Sequence, residues 1–159
     1  MKKVLYIALF IILFSCKKEH RTDCFMGNGE VTVETRSLGF FNGVKVENNF
    51  DIELIDSLEN FIEITAGKHL LDGISTKIEN NVLTVRNENT CNFVRSYDTP
   101  FSLKIYGKIK DIWHQSDGKL TNSNTFSSDT IILHLEGSEA ILNLNNKYFF
   151  SDMYQPGNL

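Results

Sequence analysis

Short apolar segments that alternate with polar residues recur along most of this chain. In each segment every second residue is Val, Ile, Leu or Phe, which is the period of a strand with one face buried and one face in water. No window keeps a helical period of three to four residues over three turns. The sequence therefore predicts an all-β domain. The alternating segments are residues 31–35, 44–47, 50–54, 61–64, 82–85 and 103–106.

Asparagines and ten glycines separate these segments. Both residue types accept the left-handed backbone conformation that tight turns need. The pairs Asn48-Asn49 and Asn80-Asn81 stand between alternating segments, so we expect a turn at each pair. The chain contains only two prolines, which leaves its backbone N–H groups available for strand pairing.

The second half of the chain contains a weak repeat. Residues 112–118 match residues 131–137 at a spacing of 19, and each copy begins with Ile and ends with an acidic residue and Gly. An apolar residue follows each copy, Leu120 after the first and Ala140 after the second. Repeats near 20 residues are typical of stacked solenoids, because one unit alone is too small to bury its apolar face. The spacing favours a solenoid, and a sandwich of hairpins is the alternative.

The amino terminus has the features of a bacterial export signal. Two lysines precede an unbroken apolar run over residues 4–14. The alternative is a membrane anchor, but a spanning helix needs about 20 apolar residues, which this run does not reach. Residues 13–16 (LFSC) resemble a lipobox, in which a Leu and a small residue precede a Cys. The sequence therefore predicts cleavage before Cys16 and acyl chains on that cysteine.

These features divide the chain into four predicted parts. We expect a lipoprotein signal peptide at residues 1–15 and a lipid-anchored tether at residues 16–28. The folded domain is predicted at residues 29–146, where the alternating segments lie, and a C-terminal tail at residues 147–159.

Two cysteines remain once Cys16 is acylated. Cys24 and Cys91 would then face an oxidising compartment, where a disulfide is the default. The alternatives are two buried free thiols or half of a metal site. Neither cysteine stands in a C-x-x-C pair of the kind that binds zinc. The sequence favours a Cys24–Cys91 disulfide and predicts no metal.

Charge and motifs argue against several classes of function. The net charge is −4 and no basic block alternates with aromatic residues, so nucleic acid is not an expected partner. No H-E-x-x-H or G-x-S-x-G motif occurs, and we expect neither catalytic residues nor a cofactor. The acidic residues Asp111, Asp117, Glu136 and Glu139 would line one face of a stack, as in a glycan-cleaving enzyme. The alternative is that they form a solvated acidic surface.

Trp113, His114 and Gln115 form the one aromatic and polar cluster that suits a ligand. Alternation places Ile112 and Trp113 on opposite sides of a strand, so one of them is expected outside. An exposed Trp is a platform for a sugar ring or for a partner protein. The alternative is that Trp113 fills the core. Other aromatic residues are predicted to be core, namely Phe40, Phe41, Phe50, Phe61, Phe93 and Phe126.

Several segments together resemble a known family. They are residues 41–46 (FNGVKV), 50–54 (FDIEL), 62–67 (IEITAG), 83–87 (LTVRN) and 89–97 (NTCNFVRSY). These segments resemble the putative auto-transporter adhesin, head GIN domain family, over roughly the whole predicted domain. The resemblance implies a right-handed single-stranded β-helix in an exported lipoprotein of the Bacteroidetes type. It implies no catalytic residues.

The C-terminus departs from this pattern, since such domains usually continue with further turns. The alternating pattern breaks at residues 148–150 (YFF), so the solenoid is expected to be C-terminally shortened. An unfinished stack leaves a strand edge with unpaired backbone groups. Either the tail covers this edge, or the edge pairs with that of a second copy in self-association.

Taken together, these patterns predict a cell-envelope protein that is attached to the membrane, by expectation the outer membrane, through acyl chains on Cys16. We expect a non-enzymatic binding or adhesion module whose partner is an envelope protein or a glycan. The alternatives are a glycan-active β-helix enzyme and a purely structural envelope lipoprotein.

Overall fold

The computed structural model describes residues 27–89, 101–136 and 139–154, which form two six-stranded β-sheets. The all-β prediction is confirmed. A 3-10 helix at Lys68–Gly73 lies between β4 and β5 as numbered here. The strands are β1 (Val31–Ser37), β2 (Gly43–Asn48), β3 (Asp51–Asp56), β4 (Phe61–Gly67), β5 (Ile74–Glu79), β6 (Val82–Asn87), β7 (Ser102–Gly107), β8 (Asp111–Ser116), β9 (Leu120–Asn122), β10 (Thr130–Glu136), β11 (Ala140–Ile141) and β12 (Tyr148–Tyr154).

Several sequence predictions fall outside the described residues. They are the signal peptide, the lipid attachment at Cys16 and the disulfide between Cys24 and Cys91. Within the part of the chain that the structure describes, no helix is long and apolar enough to cross a membrane.

Both sheets mix parallel and antiparallel pairs. The first, sheet A, has the strand order β1-β4-β7-β3-β9-β11, and the second, sheet B, has the order β12-β10-β8-β2-β6-β5. In sheet B the strands from β12 to β6 are parallel to their neighbours, whereas β5 and β6 form an antiparallel hairpin. Asn80 and Asn81 close this hairpin with positive φ angles of 51° and 62°, as a two-residue turn of this hand requires. Asn48 also has a positive φ, so both predicted turn pairs contain left-handed asparagines.

The expected right-handed single-stranded β-helix is wrong. A solenoid of that kind needs each strand to lie parallel to the equivalent strand of the next turn, but β4 pairs antiparallel with both of its neighbours, β1 and β7. The two copies of the repeat that favoured a solenoid also do not pair in the register that their sequence match implies. Ile112 pairs with Leu133, two positions beyond Ile131. A shift by two keeps apolar residues on the same face, so alternation alone does not reveal it.

One apolar core lies between the inner faces of the two sheets. Sheet B contributes Val44, Val46 and Ile112, and sheet A contributes Ile52 and Leu54, all buried. The residues between them on each strand point outward, as the period of two predicts. Burial of these alternate residues supplies the main driving force for the fold.

In strand β1 the apolar residues face outward and the polar residues face inward. Val31 and Val33 lie on the outside, 50% and 59% exposed, although their alternation suggested the core. Arg36 faces the interior instead and donates hydrogen bonds to the carbonyl oxygens of Leu71 at 3.1 Å and Ile74 at 2.6 Å. These carbonyls lie around the 3-10 helix, so the inverted strand serves to satisfy polar groups there.

The predicted aromatic core is partly correct. Phe41, Phe50 and Phe126 are fully buried. Phe40 is 61% exposed, and Phe61 lies on the outer face of sheet A, so the core predictions for these two residues are wrong. The sixth aromatic residue, at position 93, lies outside the described residues.

Candidate functional site

The outer face of sheet B carries a connected group of aromatic and charged side chains. The strands β12, β10, β8 and β2 lie side by side in parallel, so outward residues at equivalent positions form rows across the sheet. Two neighbouring rows contain most of the polar side chains. We name this surface the Trp113 face, and it consists of Lys45, Glu47, Trp113, Gln115, His134, Glu136 and Asp152.

Trp113 and His134 form the centre of this face. Their rings are parallel to within 8°, with centroids 5.1 Å apart. His134 Nδ1 donates a hydrogen bond of 2.6 Å to Asp152 Oδ1 on β12, which holds the imidazole in place against the indole. Stacking and a hydrogen bond to a carboxylate therefore fix the geometry of this row.

A glycine explains how Trp113 lies on the sheet. A Cβ atom at Gly43 on β2 would lie 3.2 Å from Trp113 Cζ3 and 3.1 Å from Val82 Cγ2. The indole thus occupies space that a side chain at position 43 would fill, an arrangement in which an aromatic ring covers a strand glycine. With His134 against one face of the indole, Trp113 is half-buried.

The second row of the Trp113 face is charged. Gln115 Nε2 donates to Glu136 Oε1 at 2.7 Å. Glu47 accepts hydrogen bonds from Arg86 and forms an ion pair with Lys45 at 2.9 Å. The hydrogen bond from the Arg86 guanidinium is the main cause that holds the pKa of Glu47 below its usual value. Glu47 therefore stays ionised at neutral pH.

His114 points into the core, on the opposite side of β8 from Trp113 and Gln115. Its ring is fully buried, with Nε2 3.0 Å from the carbonyl oxygen of Gly118, and Nδ1 has no hydrogen-bond partner among the described residues. Burial lowers the pKa of His114, so the ring is neutral at neutral pH. The structure therefore separates His114 from the other two members of the predicted cluster.

The alternation argument for this strand is otherwise confirmed. Ile112 is buried and Trp113 lies on the outer face, so the alternative that Trp113 fills the core is wrong. The sequence reasoning missed His134 and Asp152, which reach Trp113 only through the pairing of β8, β10 and β12. The signal that was available is the alternation of β10, which places His134 on the opposite side from the buried Leu133.

The acidic residues considered for a glycan-cleaving enzyme do not converge. Asp111 and Glu136 share the outer face of sheet B, but the strand register sets their Cα atoms about 14 Å apart. The Glu136 carboxylate is engaged by Gln115, which donates a hydrogen bond to it at 2.7 Å. Asp117 is exposed after β8, and Glu139 pairs with Lys119 at 3.2 Å. In the described ranges no group of three or more His, Cys, Asp or Glu side chains could hold a metal ion.

The outer face of sheet A contains a hollow of about 350 Å³ between strands β3, β7 and β9. Its charged side chains each have an ion-pair or hydrogen-bond partner. Lys104 lies 3.4 Å from Glu53, Lys119 pairs with Glu139, and Asp51 accepts the Lys119 backbone N–H at 2.9 Å. None of the described residues that line the hollow is aromatic. Such paired charges are typical of a solvated sheet face.

These features define an all-β protein with two mixed sheets and one outer face that is aromatic and charged. The chain belongs to the putative auto-transporter adhesin, head GIN domain family, whose profile matches residues 40–158. The resemblance predicted from the sequence is thereby confirmed. A comparison with curated proteins finds no match.

Solved structures share this fold. A putative adhesin from Bacteroides fragilis has a TM-score of 0.67 at 11% identity, over 80% of this chain and 59% of that chain. A putative adhesin from Parabacteroides merdae has a TM-score of 0.55 at 20% identity, over 76% and 54%. A putative lipid binding protein from Parabacteroides distasonis has a TM-score of 0.53 at 15% identity, over 80% and 61%. The chain thus spans less than two thirds of the length of each of these neighbours.

Proposed function

We propose that this chain is an exported, lipid-anchored binding module of the bacterial cell envelope, and that its Trp113 face docks a partner protein. The observation that carries the proposal is the stacked pair of Trp113 and His134 at the centre of a charged sheet face. Protein interfaces are enriched in aromatic residues at their centre and surrounded by a polar rim. Membership of an adhesin family supports a role in binding at the cell surface.

A protein partner fits this face better than a sugar ring does. A sugar platform needs an open aromatic ring face, but His134 covers one face of the Trp113 indole. Further aromatic residues on the same side of the sheet, Phe150 and Tyr154, are exposed on β12. Together with Trp113 they extend the apolar part of the surface beyond the size of a single sugar.

The position in the envelope is supported by the amino terminus. The apolar run at residues 4–14 and the following Cys16 have the composition of a lipoprotein signal. Two acyl chains or more on Cys16 would anchor the chain stably, because one chain gives only marginal membrane binding. A disulfide between Cys24 and Cys91 would form in the same compartment and would tie the tether to the domain.

We expect Trp113→Ser to abolish capture of the partner. The purified chain is immobilised and exposed to envelope proteins solubilised from the source bacterium, and in parallel to a panel of glycans. Loss of a central interface Trp weakens binding by about 30-fold or more. The control is Phe40→Ser, which removes an aromatic residue that is 61% exposed and does not belong to the Trp113 face.

Two outcomes would contradict the proposal. Equal loss of capture in Trp113→Ser and Phe40→Ser would show that the captured proteins bind non-specifically to exposed aromatic residues. If the unmodified chain bound a glycan but no protein, and Trp113→Ser lost that binding, the partner would be a carbohydrate and not a protein.

The anchoring part of the proposal has its own test. We expect Cys16→Ser to remove all lipid label from the chain in cells that are fed a labelled fatty acid, because the acylated thiol is absent. The control is Cys24→Ser, which retains the cysteine of the lipobox and should be labelled like the unmodified chain. Undiminished labelling of Cys16→Ser would end the assignment of that residue as the anchor.

A further inference from the structure

The described sheets have four edge strands, and three of them carry features that prevent pairing with another chain. At one end of sheet A, β1 points Glu34 and Arg36 inward; at the other end, β11 is only two residues long. In sheet B, β5 carries the exposed ion pair of Lys77 and Glu79. Inward charges, very short strands and edge lysines are the usual means by which proteins protect an edge.

The fourth edge, β12, has none of these features. It is seven residues long, contains no Lys, Pro or Gly, and every one of its residues is exposed. Its single charge, Asp152, is engaged by His134. Phe149 and Met153 lie on the inner face of sheet B, the same face as the core residues of the neighbouring β10. Both are nevertheless exposed, because sheet A has no described strand opposite them.

We infer that β12 pairs with the β12 of a second copy of this chain, antiparallel and centred on Ser151. The Tyr148 N–H donates to Asp129 O, so Tyr148 and every second residue after it bond to β10. The backbone groups of Phe149, Ser151 and Met153 therefore point away from the sheet. These three residues are symmetric about Ser151, so an antiparallel copy in this register pairs all of their free N–H and C=O groups.

The side chains of β12 suit the same register. Phe149 comes to lie opposite Met153 of the second copy, and Met153 opposite Phe149, which brings sulfur and aromatic rings together twice. On the other face Tyr148 lies opposite Tyr154, which forms two aromatic pairs. No charge faces a like charge, because Asp152 lies opposite Phe150. This self-complementarity favours a second copy over an unrelated partner.

This pairing would place two Trp113 faces on one continuous sheet. A two-fold axis perpendicular to the sheet keeps both outer faces on the same side. Five strand spacings separate the two Trp113 residues across the junction, which is about 24 Å. A partner with two docking sites at that distance would bind with avidity that one copy lacks. The inference stands on β12 itself and does not depend on the identity of the partner.

The test is sedimentation equilibrium of the purified chain in mild detergent, from low to high micromolar concentration. We expect a monomer–dimer equilibrium in the unmodified chain. Ser151→Lys and Ser151→Glu should each weaken the dimer by about tenfold, because they set like charges opposite each other across the axis. An equimolar mixture of the two variants should restore a dimer. The matched control is Ser75→Lys on β5, the opposite edge of sheet B, which should leave the equilibrium unchanged.

Each other outcome overturns the inference. A strict monomer at all concentrations excludes the pairing, and a monomer that dimerises only after removal of residues 155–159 shows that the tail occupies the edge. A dimer that Ser151→Lys does not weaken uses another surface. A mixture of the Lys and Glu variants that stays monomeric excludes the register centred on Ser151. Circular dichroism of each variant confirms that the fold is kept, since Ser151 is exposed.

Discussion

Phe41→Ala is expected to lower the free energy of unfolding by about 3 to 5 kcal/mol, the usual cost of removing a buried phenylalanine ring. Phe41 is fully buried, and its ring packs so closely on Gly107 that a Cβ atom there would lie 3.0 Å from Phe41 Cζ. Its removal leaves a cavity between the two sheets that the backbone cannot close. Domains of this size are stable by about 5 to 15 kcal/mol, so urea denaturation should show a large loss.

The neighbouring Phe40 provides a matched control with the same chemical change. Phe40→Ala should alter the free energy of unfolding by less than about 0.5 kcal/mol, because the ring is mostly in water. Similar losses in the two variants would contradict the positions of these rings in the structure. The sequence alone predicted both residues as core, so this pair of variants also tests which of the two rings the fold buries.

The strands themselves were predictable because a period of two is a local signal. The six alternating segments correspond to strands β1, β2, β3, β4, β6 and β7, and only Phe50 lies outside its strand, one residue before β3. Which face of a strand is buried was also predictable where the apolar residues of the strand form the core, as Val44 and Val46 do. It was not predictable in β1, where Arg36 takes the inner side to bond carbonyl groups near the 3-10 helix. The carbonyls that need this donor are more than thirty residues away in the chain.

Strand partners were not predictable from the same signal. Ile112 pairs with Leu133 although the best sequence match was Ile131, because an even shift preserves which residues face the core. The direction of pairing was equally hidden. The antiparallel pairs of β1 and β4 with their neighbours, which rule out the predicted solenoid, depend on long-range contacts.

In the candidate site, too, alternation predicted the face of a side chain but not its partners on other strands. Alternation correctly placed Ile112 and Trp113 on opposite sides of β8, but it left open which of the two lies outside. It also implied that His114 lies with Ile112, a consequence that the grouping of three consecutive residues overlooked. The partners of Trp113 come from other strands, since His134 is on β10 and Asp152 on β12. Only strand pairing brings them together.

Gly118→Ala is expected to destabilise the fold by about 2 to 4 kcal/mol, through overpacking and broken buried hydrogen bonds. A Cβ atom at position 118 would overlap the Phe50 carbonyl group and lie 2.7 Å from Asp51 N. These are backbone atoms of the segment that leads into β3, so they cannot move aside cheaply. The Ser116 hydroxyl accepts from Phe50 N–H at 2.7 Å and donates to Phe50 O at 2.9 Å. A displaced Phe50 would leave this buried hydroxyl without its partners.

The control for this substitution is Gly39→Ala. The nearest atom to a Cβ at position 39 is Ile78 Cδ1 at 4.0 Å, an ordinary contact, so we expect a change of less than about 1 kcal/mol in either direction. Thermal and urea unfolding of the two variants measure the difference. If Gly118→Ala were as stable as Gly39→Ala, the close approach of the turn after β8 to the Phe50 backbone would be refuted. The hydrogen bonds that join the Gly118 backbone to His114 and Ser116, on the inner side of β8, would then not depend on that close approach.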